Sequence, residues 1–560
     1  MRKFVNEPRA AMREMLEGVA DFGPGVALLP DMGVIVRADL PEPAARGVAL
    51  LSGGGSGHEP AHAGYVGPGM LHAAVAGDVF TSPSVDAVLA GILAAAGPAG
   101  AVLIVKNYTG DRLNFGLAAE LARAEGIPCE IVVVADDVAL RDTVPVAQRR
   151  GIAGTVLVHK VAGAAAAAGL GLAEVAQEAR AAAAAVGTMG VALGACTVPA
   201  AGTPGFTLAD EEMEVGLGIH GEPGVQRAPR APADALVERM LDTIQADHDL
   251  RAGEHVALLV NGLGGTPPME LSILGRHALA VLRGRGLVVD RAWTGNFLTA
   301  LEMPGCSLSV MRLDETRLAR LDAAASAPAW PGPGLIPAAR RVIPVPVPAH
   351  PMSDAPPDVA LRATVLAIAA ALEAAEPDLT AFDSVTGDGD LGLSLSRGAA
   401  AVRALPNGAW VSPHDALVAM AGALRRAIAG SSGPFYAAGL LRAASVLPPG
   451  QAATPVAWAN ALDAAVAAIA ELGGAQPGDR TMLDALQPAA AAFRQALAAG
   501  RDARAAWNHA VAAAETGVEA TKAMHPRFGR AAYLGERAVG HVDAGAAAVA
   551  VWLRAIRPPG

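Results

Sequence analysis

Short, continuously apolar runs alternate with longer stretches of helical period in the first half of the chain. Gly47–Leu51, Ala101–Val105, Glu130–Val134 and Thr155–Val158 read as buried strands. Ser84–Ala96 and Phe115–Glu125 read as helices between them. A strand covered on both faces needs no polar alternation, so this order predicts parallel βαβ units. An alanine-rich helix around 170–187 leads into a second unit, with strands near Val256–Val260, Gly286–Ala292 and Ser307–Arg312. The pattern changes near residue 330. Prolines crowd the stretch from Ser326 to Pro357, and proline favours extended, semi-rigid spacers. Beyond it strand signals almost vanish, and Ala/Leu/Val stretches of helical period run from Asp358 to Trp552. The expected fold is an N-terminal α/β half (1–325, subdomains about 1–185 and 186–325), a proline-rich linker (326–357) and a C-terminal all-α bundle or barrel (358–560).

Composition narrows the class. The 560 residues are 52% hydrophobic and only 17% charged, ample for several cores and too apolar for wholesale disorder. The net charge of −11 argues against a nucleic-acid binder working through a whole-chain positive field. A mean hydropathy of +0.36 raises the question of a membrane. Much of it is alanine, and the uncharged stretches 181–209 and 87–105 are interrupted by glycine and proline, so no spanning helix is expected there. The start, MRKFVNEPRA, carries Glu7 and no apolar core, so no signal peptide is expected. Cys129, Cys196 and Cys306 lie far apart without a CxxC pair, which fits a reducing compartment. A soluble, cytoplasmic protein with no membrane and no nucleic-acid partner is expected.

Five segments carry candidate chemistry. Ser52-Gly53-Gly54-Gly55-Ser56-Gly57-His58-Glu59-Pro60 follows the first strand. Its glycines let backbone approach a ligand, although a tight strand–helix turn would use them equally well. Lys106 to Asp111 follows the next strand and could be a solvated loop pair. Ligands of open α/β sheets bind outside the carboxyl ends of strands, so His58, Lys106 and Asp111 converge if the two strands are neighbours. Gly216–Gly224 displays His220 in a glycine frame unsuited to helix or strand; an ordinary surface histidine is the alternative. Asp383, Asp388 and Asp390 fall in a glycine-containing helix-terminal loop. Clustered acids repel unless a cation neutralises them, and hard oxygen ligands suit Mg²⁺; a solvated acidic loop is the bland reading. Gly430-Ser431-Ser432-Gly433-Pro434 could cradle phosphate at a helix start or be a plain helix–helix turn. Gly478–Asp484 and Gly529–Gly535 add loops in which Arg480, Arg530 or Lys522 could meet phosphate.

Taken together and in order, these segments resemble the dihydroxyacetone kinases. Ser52–Pro60, Gly77–Pro83, Lys106–Asp111 and Gly218–Gly224 are similar to the substrate half. Gly387–Asp390, Gly430–Pro434, Gly478–Leu486 and Gly529–Gly545 are similar to the nucleotide half. The resemblance spans essentially the whole chain, and a fused chain resembles the ATP-dependent kinases rather than those fed by a phosphoprotein. It implies that His220 binds a ketone carbonyl as a hemiaminal. It implies that Gly55, Ser56, Gly57 and His58 hold the substrate with Lys106 and Asp111 at its hydroxyls. Asp111 or His58 then assists proton removal. Asp383, Asp388 and Asp390 would bind Mg²⁺, and Leu391, Gly392, Ser394, Ser431, Ser432, Gly433, Arg530 and Asp543 would line the ATP site.

The implied activity is phosphorylation of a terminal hydroxyl of dihydroxyacetone or a similar short ketose or triose. The alternatives are an erythrulose kinase of the same family or a non-enzymatic ketone sensor. Some family members cyclise FAD to cyclic FMN. A homodimer is expected, and the linker permits the two halves to meet within one chain or across two. Leu391, Ala429 and Ala544 depart from residues common in the family, at positions where they bear on nucleotide affinity and the shape of the phosphate loop.

Overall fold

Ala49–Ser56, the third strand (β3), is buried along its whole length and sits at the centre of the first sheet. The computed structural model describes residues 3–344 and 355–558. The first sheet also contains β1 (Val26–Leu28), β2 (Val34–Arg37), β4 (Ala73–Val79), β5 (Ala101–Lys106) and β6 (Cys129–Val134). Its order is β1-β2-β4-β3-β5-β6. The last four run parallel, β3 pairing with β4 on one side and β5 on the other. The condition that β3 and β5 be neighbours is therefore met, with Ser52 opposite Ile104. The helices between them are Val85–Ala95, capped by Ser84, and Thr109–Ala124.

The second sheet begins at Val186. It holds β7 (Val186–Ala192), β8 (Glu212–Val215), β9 (Gln226–Pro229), β10 (His255–Gly262), β11 (Val288–Gly295) and β12 (Gly305–Arg312) in the order β11-β10-β12-β7-β8-β9. Only β10 and β11 pair in parallel; the rest are antiparallel.

Two sequence expectations are corrected. Thr155–Val158 is not a strand but the first turn of the helix Thr155–Ala167. That helix is buried on nearly every side, so its sequence lacks the polar stripe that marks an amphipathic helix. Buried Asp136 accepts from the amides of Ile152 (2.7 Å) and Gly154 (2.8 Å), fixing the chain entry to the helix. The second correction concerns the linker. The chain divides into compact units Met1–Ile343 and Pro344–Gly560. Ala327 and Trp330 are buried, the Trp330 ring lies 5.0 Å from Trp293, and Trp293 donates to the Gly332 carbonyl. The first part of the proline-rich run is thus packed on the α/β unit. Residues 345–354 of that run lie outside the described residues.

The second unit holds nine α-helices among the described residues, from Val359–Ala374, capped by Asp358, to Ala544–Ala555. They line an apolar, partly open cavity of about 750 Å³ with Leu361, Ile368, Met420, Trp458 and Trp552 in its wall. One of them, Pro455–Gly473, has a mean hydropathy of 1.3 and by length and composition could cross a membrane. Here it packs between Ser432–Ser445 and Leu483–Ala498.

Candidate active site

The α/β unit gathers one site at the carboxyl ends of β3, β4 and β5. The loop leaving β3 is tied down from within. Glu59 accepts from the Gly57 amide (2.9 Å), and the Ser56 hydroxyl donates to the Gly77 carbonyl on β4 (2.7 Å). A side chain at Gly55 would place its Cβ 2.5 Å from the Thr81 amide, so glycine is what lets this loop lie against the β4 turn. His58 is fully buried. Its Nδ1 is 2.8 Å from the Thr299 carbonyl, which can only accept, so Nδ1 carries the proton and Nε2 keeps its lone pair. That Nε2 has no hydrogen-bond partner among the described residues.

Lys106 ends β5 and is fully buried, with Nζ likewise unpartnered. Burial lowers its pKa, and Asp111 and Glu59 pull it back. Asp111 sits in the first turn of Thr109–Ala124 and accepts from the Ser82 hydroxyl at 2.5 Å. Burial raises its pKa against the opposing pull of Lys106 and Ser82, a suitable state for a group that must take a proton. A Cβ on Gly54 would lie 3.0 Å from Lys106 Nζ and 3.6 Å from Asp111 Oδ2, so bare backbone floors the space between ammonium and carboxylate.

His220 arrives from the other sheet, on the loop after β8. Its ring packs edge-on to Tyr108 (4.4 Å) and His58 (4.9 Å), with Phe80 at 5.4 Å. Burial first, then Lys106 and Arg150, press its pKa down to about 3, so the imidazole is neutral and nucleophilic at neutral pH. His58 is held neutral in the same way.

The helical unit builds a site of opposite character. Asp383 lies in the last turn of Glu376–Thr386, and Asp388 and Asp390 follow in the loop before Leu391–Arg403. One Asp383 oxygen accepts from the amides of Asp390 (2.9 Å) and Leu391 (3.1 Å), folding the loop around it. Gly387 is required there, since a Cβ would fall 2.2 Å from the other Asp383 oxygen. One oxygen from each of the three acids lies within 4.8 Å of the others, a donor set that fits a hard divalent cation. Asp388 and Asp390 are exposed, and Asp388 pairs with Arg530. Ser431, Ser432 and Gly433 start the helix Ser432–Ser445, and Asp543 caps Ala544–Ala555 through the Ala546 amide (2.8 Å). These two helix starts make no hydrogen bond or ion pair to the acidic loop among the described residues. Burial raises Asp543 to about 6. Gly392 and Ser394 are buried by helix packing, with a Gly392 Cβ 2.2 Å from Thr380 Oγ1, and Leu391 is half-buried.

Residues 17–329 match the Dak1 domain and residues 385–558 the DAK2 domain. The chain is similar to the solved dihydroxyacetone kinase of C. freundii in complex with AMP-PNP and Mg²⁺, at 36% identity and a TM-score of 0.63, over 99% of both chains. The chain belongs to the dihydroxyacetone kinase family. It is a kinase carrying both family halves. Among curated relatives, the triokinase/FMN cyclase of Homo sapiens is 44% identical over 577 residues, 99% of this chain and 98% of that one. The D-erythrulose kinase of Mycolicibacterium smegmatis is 37% identical over 575 residues, again 99% and 98%.

Within this family frame, the structure brings together the sequence-expected Gly55, Gly57, His58, Lys106, Asp111 and His220. It spends the proton of the Ser56 hydroxyl on Gly77, leaving that oxygen only as an acceptor. It adds residues that sequence reasoning missed: Ser82 on Asp111, Thr299 on His58, and Tyr108 and Phe80 as walls. Ser82 and Phe80 stood inside a quoted motif and could have been singled out; Thr299, which lies 241 positions from His58, gave no local signal.

Proposed function

We propose that the protein transfers the γ-phosphoryl group of ATP to a terminal hydroxyl of dihydroxyacetone or a comparable short ketose. The observation that carries this reading is the neutral, walled His220 beside His58 Nε2, Lys106 and Asp111. A small ketone offers little surface, so a reversible bond to its carbonyl is an effective handle and excludes polyols such as glycerol. The imidazole nitrogen lone pair forms the N–C bond, and one imidazole proton ends on the carbonyl oxygen, giving a hemiaminal with no change of oxidation state. Lys106 and Asp111 would bind the hydroxyls. Asp111 or His58 would accept the proton of the attacking hydroxyl as its oxygen bonds phosphorus and the bond to ADP breaks.

Asp383, Asp388 and Asp390 would hold Mg²⁺, which supplies charge neutralisation for the phosphates. Arg530, which pairs with Asp388, would exchange that partner for a phosphate oxygen. The helix start at Ser431-Ser432-Gly433 offers free amides to an anion. Leu391, Gly392, Ser394 and Asp543 would complete the nucleotide pocket, Gly392 chiefly by letting its helix pack closely.

Erythrulose is the second substrate reading, supported by the likeness to a D-erythrulose kinase. A homodimer and a cytoplasmic location belong to the same proposal. Free, buried Cys129, Cys196 and Cys306 accord with a reducing compartment, and light scattering of the purified chain tests the dimer. The function itself is tested by ADP release with Mg·ATP and a panel of dihydroxyacetone, glyceraldehyde, both erythruloses and glycerol. Turnover with a ketose but not with glycerol is expected; folded protein inactive on every triose and tetrose would refute it.

A further inference from the structure

His220 does not stand on a regular element. It sits in the irregular loop between β8 and β9, yet its ring must meet groups delivered by the other sheet. Something outside the loop has to fix it, and the contacts identify Arg150. This side chain enters from the segment between β6 and the helix Thr155–Ala167 and spends all three guanidinium nitrogens on three different partners. Nε donates to Asp137 (2.7 Å), Nη2 to the Gly216 carbonyl (2.7 Å) and Nη1 to Glu222 (3.4 Å). Asp137 is fully buried, and its other oxygen accepts from the Ala139 amide (3.0 Å), so the anchor is fixed. Gly216 is where the chain leaves β8, with φ +70, and Glu222 lies two residues past His220. Glu222 closes the circuit by accepting from the backbone amide of His220 (2.9 Å). Gly218 makes the space: a Cβ there would fall 1.7 Å from Glu222 Oε1 and 3.0 Å from Arg150 Nη1.

We infer that Arg150 and Glu222 are positioning residues of the ketose site, a staple that closes both ends of the His220 loop and sets the imidazole against the carbonyl. The planar fork matters because it reaches a carbonyl and two carboxylates at once, which a lysine ammonium on a flexible stem does not. The inference rests on His220 being the group that holds the ketone.

The test is steady-state kinetics of the full-length chain with dihydroxyacetone and Mg·ATP. Arg150→Met is expected to raise the ketose KM by about 10- to 100-fold, the scale on which a displaced reacting group is felt, with the ATP KM within about twofold of wild type. Arg150→Lys keeps the charge without the fork and is expected to stay at least about fivefold impaired. Glu222→Gln, at a partly exposed site, is expected to raise the ketose KM at least about threefold and protects the test if Arg150→Met folds poorly. In a His220→Ala background, Arg150→Met is expected to add no further loss.

A ketose KM within twofold of wild type in Arg150→Met or Glu222→Gln would overturn the staple. So would full rescue by lysine, a parallel rise of both KM values, or additive losses in the double variant. His220→Ala alone reports separately on the hemiaminal: unchanged ketose KM and selectivity there would sink that reading whatever Arg150 does.

Discussion

The two candidate sites follow opposite building plans. In the α/β unit the candidate reacting groups are largely withdrawn from water: His58 and Lys106 are fully buried, Asp111 nearly so, and His220 is half-buried and walled by aromatic rings. In the helical unit Asp388, Asp390 and Arg530 are exposed. The difference matches what each ligand brings. A small neutral ketone has little charge and little surface, so the protein must supply a dry, preformed pocket with tuned proton affinities. Here burial does the tuning, lowering His58, His220 and Lys106 and raising Asp111. A nucleotide brings several charges and its own cation, a demand that three carboxylates on a short loop would meet, with Arg530 offsetting part of their mutual repulsion at Asp388.

Substitutions should separate the two plans. The largest effect is expected from Asp388→Ala, which removes part of the proposed cation site: kcat should fall about 10²- to 10³-fold, the scale of losing one electrostatic support of the transition state. Its thermal midpoint should stay near wild type, because the acid is exposed and its pair with Arg530 is a surface one. Full activity in this variant would contradict the metal assignment. Next is His220→Ala, expected to cut kcat/KM for dihydroxyacetone about 100-fold and erode the preference over glycerol, leaving the ATP KM unchanged. A selectivity assay with both acceptors checks it.

Gly57→Ala should act through the fold. Gly57 has φ +100, and a Cβ would lie 2.8 Å from the Phe80 ring, so a loss of about 1–3 kcal/mol in a denaturant titration is expected. The smallest effect is one of pH. His58, His62, His72, His159 and His220 are all held below the ordinary value, first by burial, with His72 at about 4 and His159 and His220 at about 3. Their unfolded forms take up protons near pH 6.5, so between about 6.5 and 3 the unfolded chain binds more protons and the α/β unit loses stability as pH falls. Raised acids contribute with the opposite sign: in the α/β unit Asp137, at about 6, and Asp111 offset part of the histidine effect, whereas in the helical unit Asp543, at about 6, acts unopposed, its folded form holding the extra proton from about pH 6 down to 4. Hydrogen exchange on the intact chain from pH 7 to 5 should show protection falling in the first unit only; a parallel fall in both would break the contrast.

How much of this was legible in the sequence follows the same divide. The acidic loop could be read because Asp383, Gly387, Asp388, Gly389 and Asp390 are neighbours in the chain, and short-range geometry is what residue spacing encodes. The proposed ketose site was legible only as separate loops. That β3 and β5 are neighbours was a condition the sequence could state but not meet, and the second sheet's delivery of His220 depended on β7, β8 and β9, which gave no strand signal. Val186–Ala192 holds Gly187 and Gly190 and reads as an interrupted stretch, yet tertiary pairing with β12 makes it a strand. Thr155–Val158 erred in the other direction, because a fully buried helix and a buried strand share one apolar pattern. Arg150 was invisible for a simpler reason: its partners Gly216 and Glu222 lie 66 and 72 positions away. The linker was misjudged at its start because proline density says nothing about the tryptophan, Trp330, that pins those prolines to the sheet.

The division between a preformed ketose site and a cation-completed nucleotide site is tested most directly by calorimetric titration of the full-length chain with dihydroxyacetone and, separately, with ATP, each with and without Mg²⁺. The ketose affinity should be the same in both conditions, while ATP binding should weaken at least about tenfold when Mg²⁺ is withheld. A ketose affinity that depends on Mg²⁺, or ATP binding indifferent to it, would contradict the account.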